Sequence, residues 1–384
     1  MKKFCLCVVL ILLFVFIAGT SASAADSAQT DFAVIESELM DEFDFQSLNQ
    51  SLKNLLPESK LSFQDLCLEI MKGDFESVKD TFLQTIQDQL FYELHYHKET
   101  FIRILLIAVI AALFTNFSSA FQNKQVSEVC FYVLYLLLLT LVLNSFQIAV
   151  REVDQELQHI LDFMQILCPT YFLAVAIAVG GSTSIVFYNI VLFFIYLVEC
   201  IVISIIMPAI HIYIMIQMMN DLSEEEPFSQ LAELIEKVSV WALKCMTALV
   251  IGIDFIQRLI TPALDNLSRS VLVKGSEAVP AIGDVISGSA DVLLGSAIVI
   301  KNSIGVAGMI ICLLLTAVPL IKIAGMVLLY KFAAAIVEPI SDKRMTGCLT
   351  SISKGGELLM RVLYTVTLLF LITIAIVATT THAS

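Results

Sequence analysis

Apolar residues gather into runs long enough to cross a bilayer, which takes about 20 helical residues. Clear runs lie at 101–121 and 129–150, and a shorter one at 163–179 carries Pro169 near its start. The run 185–219 has 35 residues, too many for one straight crossing, and contains Pro208, so it is kinked, tilted or continues into the interface. Weaker runs follow at 240–260, with Lys244 and Asp254, and at 281–300, rich in Gly and Ser. A strong run at 304–330 is interrupted by Pro319 and Lys322, and a clean one at 360–378 closes the series. A helix satisfies its own backbone hydrogen bonds, which lipid cannot. The pattern therefore predicts an all-α, polytopic membrane protein with seven to eight transmembrane helices. The polytopic region is expected over 101–380.

The start of the chain has the three parts of a secretory signal. Lys2 and Lys3 are followed by an apolar core at 4–18 and by Ala22-Ser23-Ala24, which predicts a signal peptide at 1–24. Residues 25–100 are more polar and show helical spacing at Leu48, Leu52 and Leu55, at Leu61, Leu66 and Ile70, and at Val78, Phe82 and Ile86. Pro57 and Gly73 punctuate them. They read as a small extracytoplasmic region of amphipathic helices whose apolar faces pack on each other or on a partner. His95 and His97 point apart on one helix, which argues against a metal site there.

Composition agrees: 58% of residues are hydrophobic and the mean hydropathy is +0.87. The net charge is −14, and residues 25–100 hold 16 Asp/Glu against 5 Lys/Arg. An acidic surface of this kind does not attract nucleic acid. The nine cysteines form no CxxC pair and no zinc spacing, and most lie in apolar runs or in the signal.

Lys and Arg favour cytoplasmic loops. With residue 30 outside, eight spans place 331–359 inside, with Lys331, Lys343, Arg344 and Lys354. Seven spans, with 281–300 re-entrant, would put that basic stretch outside. Eight spans also place 151–162 and 220–238 outside, and Lys301 falls outside against the rule.

Catalytic motifs are missing from the sequence: there is no Walker loop, no HExxH and no GxSxG. Asp254 has no evident aspartate partner in another run. The reading is a non-enzyme with no cofactor or metal. Ionisable residues within spans are costly and mark candidate sites. They are Glu199, His211, Lys244, Asp254 and Lys322. Glu199, Asp254 and Lys322 could line a polar path, or each could pair with a neighbouring helix; a Glu199–Lys322 pair is one such arrangement. Ala281, Gly288 and Gly295 fall seven apart, with Ser287, Ser289 and Ser296 beside them. Small residues let membrane helices approach closely. With Gly305 and Pro319 they define either a packing seam between subunits or around a pore, or ordinary packing within one chain. No inverted repeat is visible, which counts against a secondary transporter.

The order of Pro280-Ala-Ile-Gly283-Asp284, Gly288, Gly295, Lys301-Asn302, Gly305 and Pro319-Leu-Ile-Lys322, with the overall layout, resembles the stage III sporulation protein AE family of endospore-forming bacteria. The resemblance implies a membrane subunit made in the mother cell and placed in the membrane surrounding the engulfed forespore. It implies partners as well: other stage III membrane and ring-forming proteins, and a secretion-type ATPase as energy source. Together these form an apparatus that links the two cells and supports late forespore gene expression through its sigma factor. A homo-oligomer fits the same picture. No catalytic residue comes with the resemblance. The competing reading from the residues is a secondary transporter of a small solute or ion.

Overall fold

A computed structural model describes residues 45–55, 62–73, 102, 106, 124–179, 181–223, 227–276, 283–339 and 343–380, with most or all positions in 124–134, 181–187, 254–276, 283–294 and 379–380 described by backbone alone. The expected signal at 1–24, nearly all of the first expected span and Ala281 lie outside these residues. Every described element is a helix: α1 (Phe45–Leu55), α2 (Phe63–Met71), α3 (Lys124–Val179), α4 (Gly181–Leu197), a π-helical segment (Val198–Ile206), α5 (Met207–Leu222), α6 (Ser229–Ser276), α7 (Gly283–Val337) and α8 (Lys343–Thr380).

α1 and α2 follow their leucine spacing. Phe45, Leu48 and Leu52 are buried on one helix, and Phe63, Leu66, Cys67 and Ile70 on the other. Asn49 joins them, its Oδ1 accepting from the Phe63 amide at 2.6 Å and from Ser62 Oγ at 3.3 Å. Ser62 in turn caps α2 by accepting from the Asp65 amide. Gly73, at φ +72°, ends α2 in the left-handed conformation that glycine adopts without strain. The pair packs on the long helices, α1 on α3 and α2 on α7, and shares their hydrophobic core. Burial pushes the Cys67 thiol well above its ordinary range. Cys67 should therefore resist N-ethylmaleimide at neutral pH in the folded protein and react once it is denatured, followed by mass spectrometry.

Among the described residues, four helical stretches are long and apolar enough to cross a membrane: Tyr135–Ala178, Tyr188–Leu222, Gly295–Val337 and Lys343–Ala378. The chain is thus an all-helical membrane protein, but its segmentation departs from the expected one. Runs 129–150 and 163–179 are parts of one 56-residue helix, and runs 281–300 and 304–330 fall largely within one 55-residue helix. The reason is periodicity inside the polar insert. Along 151–162, Val153, Leu157, Ile160 and Leu161 are buried, while Arg151, Gln155, Gln158 and Asp162 are exposed. An insert with that spacing extends a helix along a core rather than looping out of it. The polar insert Lys301-Asn302-Ser303 is likewise helical, with Lys301 and Ser303 buried.

Pro169 and Pro319 sit inside α3 and α7 without ending them. Pro208 follows the π-helical segment at the start of α5. A proline lacks the amide that a regular helix needs there, and a π-type turn absorbs the lost bond.

Side-chain contacts fix the directions. Gly305 faces Tyr171 and Gly308 faces Leu167, while further along Lys322 meets Glu152, so α7 runs antiparallel to α3. Gly356 meets Val327 and Thr367 bonds to Thr316, so α8 runs antiparallel to α7, and these two share the most extensive helix contact. α5 is antiparallel to α8 through Ile214 beside Gly355 and Asp221 beside Gly347. The start of α3, the α5–α6 turn and the α7–α8 turn therefore share one end of the bundle.

Candidate functional site

That end carries a polar cleft built by α5, α7 and α8. α5 closes with Asn220, whose Oδ1 accepts from the Phe228 amide at 2.9 Å and sets the turn into α6. Next to it, Asp221 points at α8: Ser351 Oγ donates to Asp221 Oδ2 at 2.5 Å. A Cβ on Gly347 would lie 2.8 Å from Asp221 Oδ1, so glycine there lets the carboxylate reach the helix. Lys331 of α7 pairs with Glu357 of α8. Arg344 Nη1 donates to Tyr132 Oη at 3.4 Å and Tyr135 Oη donates to the Met218 carbonyl at 3.5 Å, which ties the start of α3 into the same end. The cleft has a volume of about 530 Å³, and Gln217, Asp221, Glu338, Lys343, Thr350 and Lys354 are among its walls. Among the described residues no histidine or cysteine lines it. Hydroxyls, amines and carboxylates arranged this way suit recognition of another polar surface.

The residues singled out in the sequence fall in different places. Lys322 does not meet Glu199. Its Nζ lies 3.6 Å from Glu152 Oε1 on α3, within electrostatic reach of Glu156 as well. Glu199 is exposed on the π-helical segment, away from the bundle interior. Asp254 lies in α6 and Gly288 in α7, both within the backbone-only stretches. Gly295 is half-buried, and a Cβ there would meet nothing within 4 Å. Gly305 makes a tight contact, since its Cβ would lie 3.0 Å from Tyr171 Oη, and Pro319 is buried one helical stretch beyond. His211 is half-buried, with its ring 6.3 Å from that of Phe146.

Asp221, Ser351, Gly347 and the Gly355-Gly356 pair escaped the reading by runs. Gly355 makes the closest approach among the described glycines: a Cβ would collide with Ile214 and lie 2.8 Å from Phe146. A glycine doublet inside a helical pattern was the available signal.

Fold and site together define an all-helical membrane protein with a polar cleft at one end of its bundle. The family model for stage III sporulation protein AE matches residues 61–381, and the chain belongs to that family. Stage III sporulation protein AE of Bacillus subtilis (strain 168) is 25% identical over 371 residues, covering 94% of this chain and 92% of the relative. No solved structure matches the chain.

Proposed function

We propose that the chain is a non-enzymatic, integral membrane subunit of an apparatus that links mother cell and forespore, required for late forespore sigma-factor activity. Family membership over 61–381 carries this reading. Stage III membrane and ring-forming proteins are its partners and a secretion-type ATPase supplies its energy. The polar cleft is the surface through which the membrane bundle meets them. Deleting the gene should arrest development after engulfment with a late forespore reporter silent, followed by fluorescence microscopy. Normal spores with a solute-uptake defect would instead support a transporter.

The reading includes a topology. A continuous helix crosses a bilayer once, so α3, the α4–α5 rod, α7 and α8 give one crossing each, and α6, which is not among the four membrane-length stretches of the described residues, is assigned one more through the expected span at 240–260. Adding the expected first span gives six crossings in place of eight. Two merges remove two crossings, so the basic stretch around Lys343 stays inside and the N-terminal region stays outside. The Asp221–Ser351 bond supports this, because it requires 221 and 351 to share a side. At 1.5 Å per residue the 56 residues of α3 extend about 84 Å, well beyond a hydrocarbon core of about 30 Å, so the rods project from the membrane. Ser223→Cys discriminates the topologies. It should resist an impermeant maleimide in intact cells and label after permeabilisation; labelling of intact cells would restore the eight-span order.

A further inference from the structure

We propose that the groove between α6 and α8 is a binding site for an anionic phospholipid, with its headgroup held by Lys244 and Arg361 and its upper acyl chain against Trp241. The groove has a volume of about 520 Å³ and includes Glu236, Lys237, Val240, Trp241, Lys244 and Arg361 in its lining. Its lining is of two kinds, valines with the exposed Trp241 and the cationic heads of Lys237, Lys244 and Arg361. The internal charges are partly satisfied. Lys237 Nζ lies 2.7 Å from Glu233 Oε1, and Glu236 Oε2 accepts from Tyr213 Oη at 3.3 Å. Among the described residues neither Lys244 nor Arg361 has an ion-pair partner, so the groove presents two cations against the single unpaired carboxylate of Glu236, beside apolar surface. An anionic headgroup with an acyl chain complements both features, whereas a soluble anion would leave the apolar wall wet.

The height of the groove fits the same ligand. Arg361 lies on α8 between Gly356, which meets Val327, and Thr367, which bonds to Thr316. It therefore stands level with Lys322 and its partner Glu152. Charged groups on α3, α7 and α8 thus form one belt around the rods. A belt of this kind, with a tryptophan and basic residues on the outer face, is where lipid headgroups meet a bundle. α8 is itself one of the helices long and apolar enough to cross a membrane.

Trp241 is the single tryptophan of the chain and reports on the groove directly. The full-length protein in a neutral detergent is titrated with brominated phosphatidylglycerol or brominated phosphatidylcholine, and quenching of its fluorescence is followed. Half-quenching should need about 25-fold less phosphatidylglycerol, from roughly a fivefold gain for each of the two cations. Lys244→Gln with Arg361→Gln should bring the two curves together while circular dichroism stays unchanged. In the wild type, 1 M salt should shrink the preference as well, a check that needs no variant. Equal quenching of the wild type by the two lipids overturns the proposal, as does a preference that survives both the substitutions and the salt. Quenching by neither lipid, with a cross-linked dimer joined through the groove, assigns the face to a second copy and overturns it too.

Discussion

Replacing Gly355 with valine is expected to remove folded protein from the membrane fraction. α8 touches α3, α5, α6 and α7, so it is the helix around which the bundle closes. At Gly355 it passes α5 and α3 so closely that even one added carbon collides with Ile214 and crowds Phe146, both themselves buried. At Gly356 the same carbon would collide with Val327 on α7. Inserting bulk into a packed core costs about 1–3 kcal/mol and more when backbones are held apart. Membrane helices associate through close packing rather than a hydrophobic drive, so little remains to offset the loss. The expected readout is a fall of tenfold or more in the monodisperse protein recovered by size exclusion in mild detergent. Gly325→Ala and Gly295→Ala serve as controls, since an added Cβ meets nothing within 4 Å at either position. Both should behave as wild type. Failure of Gly295→Ala to accumulate would show that this face is packed rather than open.

The helical class and the membrane character were legible because they follow from run length and hydropathy alone. The α1–α2 pair was legible too, because its leucines repeat at helical spacing and Gly73 marks its end. The number of separate helices was not. A polar insert such as 151–162 reads as a loop when residues are averaged over a window, and as an amphipathic helix when Val153, Leu157 and Ile160 are placed on one face. Averaging discards the phase that decides between them. The cleft was hidden for a different reason. Asp221 and Ser351 are separated by 130 residues, and only the pairing of α5 with α8 brings them together. Gly305 was singled out for its size, and it does sit at a close approach, to Tyr171 on the neighbouring helix of the same chain.

Lys322 offers the strongest separation between a bundle subunit and a transporter. Its ammonium pairs with Glu152 at 3.6 Å, with side chains 25% and 33% exposed, so the pair is neither solvated nor fully enclosed. Lys322→Met alone should leave Glu152 without its cation and cost about 1–3 kcal/mol, between the values for exposed and buried pairs. Glu152→Gln alone should cost a similar amount by removing the carboxylate nearest the lysine. Combining the two removes both charges, and such paired neutralisation is close to neutral for stability. The double variant should therefore recover most of the thermal stability in detergent lost by either single change. If the pair only fastens α3 to α7, spore formation should recover with it. If these groups carry an ion or solute, the double variant will be folded, membrane-inserted and inactive. A cycle in which the double variant is no more stable than the singles would show that Lys322 and Glu152 do not depend on each other.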